Sequence, residues 1–220
     1  MSHSHGHVCE AEAQHHDHDH DHDPPPEDTN EVQSLYQKIR SAAVRTLNEQ
    51  VSGSGAKIIK PWNDRFDTSI RCTSDADEQI IMHVPFDGQI KLKSILVRCP
   101  GTTSAIKEMR VYINREDLDF DTIGDAKPTE TFECVPYENA SDLIEYPVKI
   151  RLYNNVKSVT LFFEHNWSGD EEPTVLWYLG FRGDHTEIKD APVAISYEAF
   201  ANPKDHRVKG TEETAGRMGV

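Results

Sequence analysis

A chain of 220 residues is long enough for one domain with tails and for a hydrophobic core that needs no disulfide or metal staple. Its 23 Lys and Arg against 38 Asp and Glu leave a net charge of −15, which argues against phosphate-directed nucleic-acid binding and against an anionic membrane surface. Apolar runs are only a few residues long, far short of the roughly 20 that a membrane-spanning helix needs.

The first 30 residues are compositionally separate. Up to Glu31 the chain holds eight of its 12 histidines, nine acids and no Lys or Arg, with Val8 its one large aliphatic residue. Such a segment cannot bury enough apolar surface to offset the entropy of ordering, so residues 1–30 are expected to be a disordered tail ending at Pro24-Pro25-Pro26. Within it His15, His16, His18, His20 and His22 alternate with aspartates. Imidazole and carboxylate suit Zn, Ni and Cu, but without fixed geometry the binding is expected to be weak and adventitious. No required cofactor is expected.

A helix is expected over 31–48. Asn30 and Gln33 have capping-box spacing, and Val32, Leu35, Tyr36, Ile39, Ala43 and Leu47 form one apolar stripe. From about residue 56 the period shortens to about two residues. Ile80, Met82 and Val84 alternate with Ile81 and His83; Met109, Val111 and Ile113 alternate with Arg110 and Tyr112. The same pattern recurs at 148–153, 159–164 and 175–181, the last placing Trp177 in the core with Val175 and Leu179. Segments 56–60, 89–98, 130–135 and 192–198 read as further strands. Turn clusters such as Phe86-Asp87-Gly88 and Trp167-Ser168-Gly169-Asp170 separate them. The expected fold is all-β: an antiparallel β-sandwich or jelly roll over 56–198, carrying an N-terminal amphipathic helix, within a domain spanning 31–207. Residues 208–220 are expected to be a flexible C-terminal tail, and the protein a monomer.

Cys9, Cys72, Cys99 and Cys134 show no CxxC spacing, and the start lacks the basic and apolar regions of a secretory signal. Reduced thiols in a cytoplasmic and nuclear protein are therefore expected. Catalytic patterns are absent: there is no Gly-x-Ser-x-Gly, no His-Glu-x-x-His and no phosphate-cradling glycine loop. No enzyme activity is expected. Candidate partner-binding residues are the acidic run Asp75, Asp77 and Glu78, and two aromatic anchors, Trp62 after Lys60-Pro61 and Trp167 in a turn.

The ordered set Leu47-Asn48-Glu49, Lys60-Pro61-Trp62, Ser74-Asp75-Ala76-Asp77-Glu78, Lys91-Leu92-Lys93-Ser94, Met109-Arg110-Val111-Tyr112 and Asn155-Val156-Lys157-Ser158-Val159 resembles the PITH domain family. The resemblance spans roughly 31–207. It implies a jelly-roll sandwich similar to galactose-binding-like domains, and association with the 26S proteasome, through its regulatory particle. The redox activity of thioredoxin-linked relatives is not implied, because there is no CxxC. Arg40 stands where relatives tend to carry Asp. Two other roles remain open on the residues alone: a glycan- or peptide-binding module, and metal buffering by the tail.

Overall fold

The computed structural model describes residues 29–169 and 171–186. The tail histidines, the strand expected at 192–198 and the C-terminal tail lie outside the described residues. Among the described residues nine strands run in the order β1 (Arg45–Leu47), β2 (Cys72–Thr73), β3 (Ile80–Arg98), β4 (Glu108–Ile113), β5 (Glu130–Glu133), β6 (Ile144–Pro147), β7 (Val156–Phe163), β8 (Val175–Leu176) and β9 (Tyr178–Thr186). All pairings are antiparallel. The expected all-β jelly-roll sandwich is formed.

The strand β3 belongs to both layers. Its first part, through Pro85, pairs with β1 and β7, and the layer continues through β4 to β5. Its second part, Gln89–Arg98, pairs with β9 on one side and β6 on the other. The β7 ladder is irregular between Pro85 and Ile90. Pro85 cannot donate to a ladder, and Gly88 adopts φ 103, so the chain turns a corner where both residues fit. The sequence pattern Phe86-Asp87-Gly88 suggests a turn between two strands; the chain instead bends within one strand of 19 residues. Corners made by strands that switch layers are a normal device of packed sheets.

A second shift lies between Leu92 and Ser94, opposite Gly183. It changes the inward parity. Ile90 and Leu92 face the main core before it, and Ile95 and Val97 after it. A side chain at Gly183 would overlap the Lys91 carbonyl oxygen, so the bulge closes only over glycine.

The first layer is covered on both faces. Met82, Val84, Val111, Val159 and Leu161 join the main core, while Ile81, Tyr112 and Phe162 on the outer face lie under Leu118 and Ile123 of the 115–126 loop. His83 is also on that outer face and is 3% exposed. Its Nδ1 is 2.8 Å from Thr160 Oγ1. The Thr160 hydroxyl donates to the Arg115 carbonyl, so it accepts from His83 Nδ1–H. Burial first, and the Arg45 charge second, hold the His83 pKa below its ordinary value of 6.5.

Three expected elements differ. The helix over 31–48 does not form. A four-residue helical turn, Thr29–Val32, is followed by 3-10 turns at Tyr36–Lys38 and Ser41–Ala43 and then by β1. The outer edge of β9 decides this. Leu35 N–H donates to Phe181 O at 2.9 Å and Gly183 N–H donates to Gln33 O at 2.9 Å, while Arg40 N–H reaches Pro85 O. A helix would satisfy its own backbone and leave those sheet groups unpaired. Leu35 and Ile39 are buried as the stripe implies, but Val32 is 67% exposed. The strand expected at 56–60 is replaced by a helical turn, Ser54–Lys57, that still buries Ile58 and Ile59. The strand expected at 148–153 falls earlier, at β6, which ends on Pro147, a residue without a donor; Ile150 and Leu152 then lie exposed in a 3-10 turn.

Two outcomes follow from this packing. Gly183→Ala should destabilise the fold by about 3 kcal/mol, because backbone cannot yield as a side chain can; denaturant unfolding measures it, and a change within error would mean the bulge relaxes. His83 sets an acid limit. Its folded pKa is depressed, so as pH falls through about 6.5 the unfolded chain takes the proton first and stability drops until the folded pKa is passed. His83→Gln should therefore lose less stability than the native chain between about pH 7 and about pH 5.5; parallel losses in urea melts would contradict it.

Candidate functional site

The site is built from Leu47-Asn48-Glu49. At the end of β1, Asn48 takes φ 64, a left-handed conformation that asparagine tolerates better than most residues. This turns its amide onto the acidic loop. Nδ2 donates to Asp77 Oδ1 and to Gln79 O, each at 2.6 Å, and Oδ1 accepts from Ala76 N at 2.9 Å. The Asn48 carbonyl also accepts from Asp75 N. Glu49 faces the other way, its carboxylate accepting from Gly53 N, Gly55 N and the Ser54 hydroxyl.

Thr174 fixes the loop from the opposite side. It is fully buried, donates from its backbone to Ser74 Oγ at 2.9 Å and from its hydroxyl to Glu78 O at 2.6 Å. Next to it the 165–173 loop is organised by Asn166, 1% exposed. Its Nδ2 donates to Glu172 O, and its Oδ1 accepts from Ser168 N and Oγ. The result is a cleft of about 200 Å³ lined by Asp75, Asp77, Glu78, Glu171 and Glu172, with Gln50.

His165 separates this cleft from a larger one. Its Nδ1 is 3.7 Å from Glu78 Oε1 and its Nε2 is 4.0 Å from Glu164 Oε2. Beyond it lies a cleft of about 510 Å³ lined by Lys107, Glu108, Glu133, Cys134, Pro136, His165 and Trp167. Trp167 is half-buried, and the Lys107 ammonium lies 5.5 Å from its ring centre. The structure thus brings Asp75, Asp77, Glu78 and Trp167 to one rim of the sandwich.

Trp62 is not there. It is 9% exposed and packs with Leu96, Tyr178 and Leu143 in a separate small cluster, under the Arg65 guanidinium at 4.0 Å. The anchor read from Lys60-Pro61-Trp62 is packed as a structural residue, and Lys60 before it is buried as well. Trp177, expected in the core, stands half-buried at the break between β8 and β9. Glu171 and Glu172 were missed; two adjacent acids before Pro173 were the available signal. Asp77 is largely structural, since its Oδ1 also accepts from Gln79 N at 3.0 Å.

Little here can do covalent chemistry. Burial pushes the Cys72 thiol up to about 11 and the Cys99 and Cys134 thiols up to about 12, so none is a thiolate near neutral pH. Among the described residues no group of three or more His, Cys, Asp or Glu side chains could hold a metal ion. Nor is any helix among them long and apolar enough to cross a membrane.

The fold and rim define an antiparallel jelly-roll domain whose polar surface is assembled on loops. Its sequence matches the PITH domain model over residues 25–201. It is 42% identical to a PITH domain-containing protein of Schizosaccharomyces pombe, covering 86% of this chain and 90% of that one, and 37% identical to PITH domain-containing protein 1 of Homo sapiens, covering 84% and 85%. The chain belongs to the PITH domain family. Among solved structures it is similar to the family 32 carbohydrate-binding module of Clostridium perfringens NanJ in complex with galactose, at TM-score 0.45 and 8% identity, covering 68% of this chain and 97% of that one. It is also similar to the C-terminal domain of a chitobiase from Bacteroides fragilis, at TM-score 0.44 and 15% identity, covering 71% and 97%.

Asn48 generates a testable contrast. Asn48→Gly removes the amide bonds but keeps the left-handed backbone, whereas Asn48→Ala also strains it. Both should lower stability, Asn48→Ala by about 1–2 kcal/mol more. Equal losses in denaturant unfolding would show that the backbone conformation carries no cost.

Proposed function

We propose that the protein is a non-catalytic interaction module that associates with the regulatory particle of the 26S proteasome in the cytoplasm and nucleus. The rim where loops 74–79 and 165–174 meet is the docking surface. One observation carries this reading: five carboxylates, beside the half-buried Trp167, stand on backbone locked by Asn48, Thr174 and Asn166. A preorganised acidic rim needs little ordering when it meets a basic patch, and charge complementarity speeds encounter. The three described thiols are buried and none is an activated nucleophile, which fits a role in binding. The family resemblance read from the sequence supplies the proteasome as partner. No cofactor is needed for this role, and Zn, Ni or Cu on the tail histidines is incidental to it.

The cleft at Trp167 favours a second reading, a glycan- or peptide-binding module. An indole beside Lys107, His165, Glu108 and Glu133 offers one apolar face and several polar groups, the composition of a polar-ligand site.

Pull-down of purified 26S proteasome by the full chain, at low and moderate salt, tests the first reading. Enrichment should fall with salt, because exposed charges are screened beyond about 10 Å at 0.1 M. Asp75→Asn with Glu171→Gln should flatten that dependence, and Trp167→Ala should reduce binding more than either charge change. No enrichment over a sandwich domain of similar charge, at either salt, would reject direct binding and favour the ligand module.

A further inference from the structure

A second surface has the opposite chemistry and lies on the 61–71 loop. Phe66 there is 55% exposed. Arg65 lies 4.7 Å from its ring centre and Arg98 5.4 Å, so the ring is flanked by two guanidiniums. Arg65 also stacks on Trp62 at 4.0 Å, and Arg98 on Trp177 at 4.9 Å. One exposed phenylalanine is ordinary; an exposed ring between two stacked guanidiniums is not.

Neither arginine has a carboxylate partner among the described residues. Arg65 Nη1 donates to Trp62 O at 2.7 Å; Arg98 Nε donates to Ser141 O at 2.7 Å and its Nη1 to Phe66 O at 3.1 Å. A guanidinium carries about five N–H donors, so most of those on Arg65 and several on Arg98 remain unspent. The acids of the loop do not supply the missing charge. Asp67 is turned to the Lys60 ammonium at 3.6 Å and accepts from Ser69 N and Oγ, each at 2.8 Å; Asp64 pairs with neither arginine. Two guanidiniums without a carboxylate partner among the described residues, in a chain with 38 acids and 23 bases, form a local cationic island.

The loop is also held in place. Lys60 is 6% exposed, and its ammonium donates to Asp67 O at 2.6 Å and Ile70 O at 3.5 Å. Arg98, on β3, fixes the Phe66 carbonyl. Phe66 is therefore presented on a preorganised loop, and little entropy is lost when something covers it.

We propose that Phe66, Arg65, Arg98 and Trp177 form a docking platform for an acidic segment of a partner protein. Its carboxylates pair with the two guanidiniums, and an apolar side chain between them lies on the Phe66 ring. Charge complementarity selects this occupant, because planar guanidinium forks match carboxylates. A nucleic-acid base could stack on the same ring, but two guanidiniums are too few to follow a phosphate backbone, which needs a longer cluster of Lys and Arg. The platform is distinct from the acidic rim and does not depend on it.

The test uses the full chain and a fluorescein-labelled peptide of alternating glutamate and leucine. Its controls are the same peptide with glutamine for glutamate and a short oligothymidylate. Anisotropy should show salt-sensitive binding of the acidic peptide alone. Phe66→Ala and Arg65→Gln should each weaken it by about tenfold, Arg65→Lys by less, and Asp75→Asn on the acidic rim should leave it unchanged. Unchanged melting temperatures should accompany Phe66→Ala, since the ring is exposed. Absence of acidic-peptide binding, equal binding of the glutamine peptide, or native affinity in Phe66→Ala overturns the proposal. Binding of oligothymidylate in place of the peptide overturns it in favour of a base-stacking surface.

Discussion

The structure depends on the corner in β3. One strand pairs with β1 and β7 through Pro85 and with β9 and β6 from Gln89 onward, so the two layers are joined covalently at their centre. Any movement of one layer against the other must bend that strand. The bulge opposite Gly183 then restores the inward face, keeping Ile95 and Val97 in the core that Ile90 and Leu92 began. Without this correction a single-residue slip would turn every later side chain to the wrong face.

The polar surfaces inherit their order from this frame. Asn48 ends the strand paired to the first half of β3, and Arg98 ends the second half. The acidic rim hangs from the first, and the Phe66 platform is pinned by the second. Both are loops whose geometry is set by hydrogen bonds to strand-end residues. Their charges can therefore be concentrated without the loops drifting apart through repulsion.

The strands were legible where one residue type carried the period, as in Met109, Val111 and Ile113. The same alternation hid the fact that Ile81 and His83 are buried too, because their cover comes from the distant 115–126 loop. The helix over 31–48 misled because Leu35 and Ile39, which share a face at α-helical spacing, are buried equally well as the residues flanking a 3-10 turn; the deciding hydrogen bonds belong to β9, about 150 residues later. Of the rim, the acidic run at 74–78 was visible as composition, while its neighbour Glu171-Glu172 became relevant only once Thr174 joined the two loops. In the aperiodic segment after Lys60 the sequence singles out Trp62 as the anchor and leaves Phe66 unremarked. The indole is buried against Leu96 and Tyr178 and the phenyl ring is left exposed, a division that no pattern marks.

The strap formed by residues 33–35 along β9 also orders events in time. Ser34 bridges to Arg182, so backbone near the start of the described residues finds its partner in the last described strand. On the ribosome that edge cannot close until nearly the whole domain has emerged, and Leu35 waits unburied until then. Pairings this remote in sequence make for slow folding. The described sandwich is thus completed by its first and last segments together, and the nascent protein is most exposed to chaperones and proteases just before β9 appears.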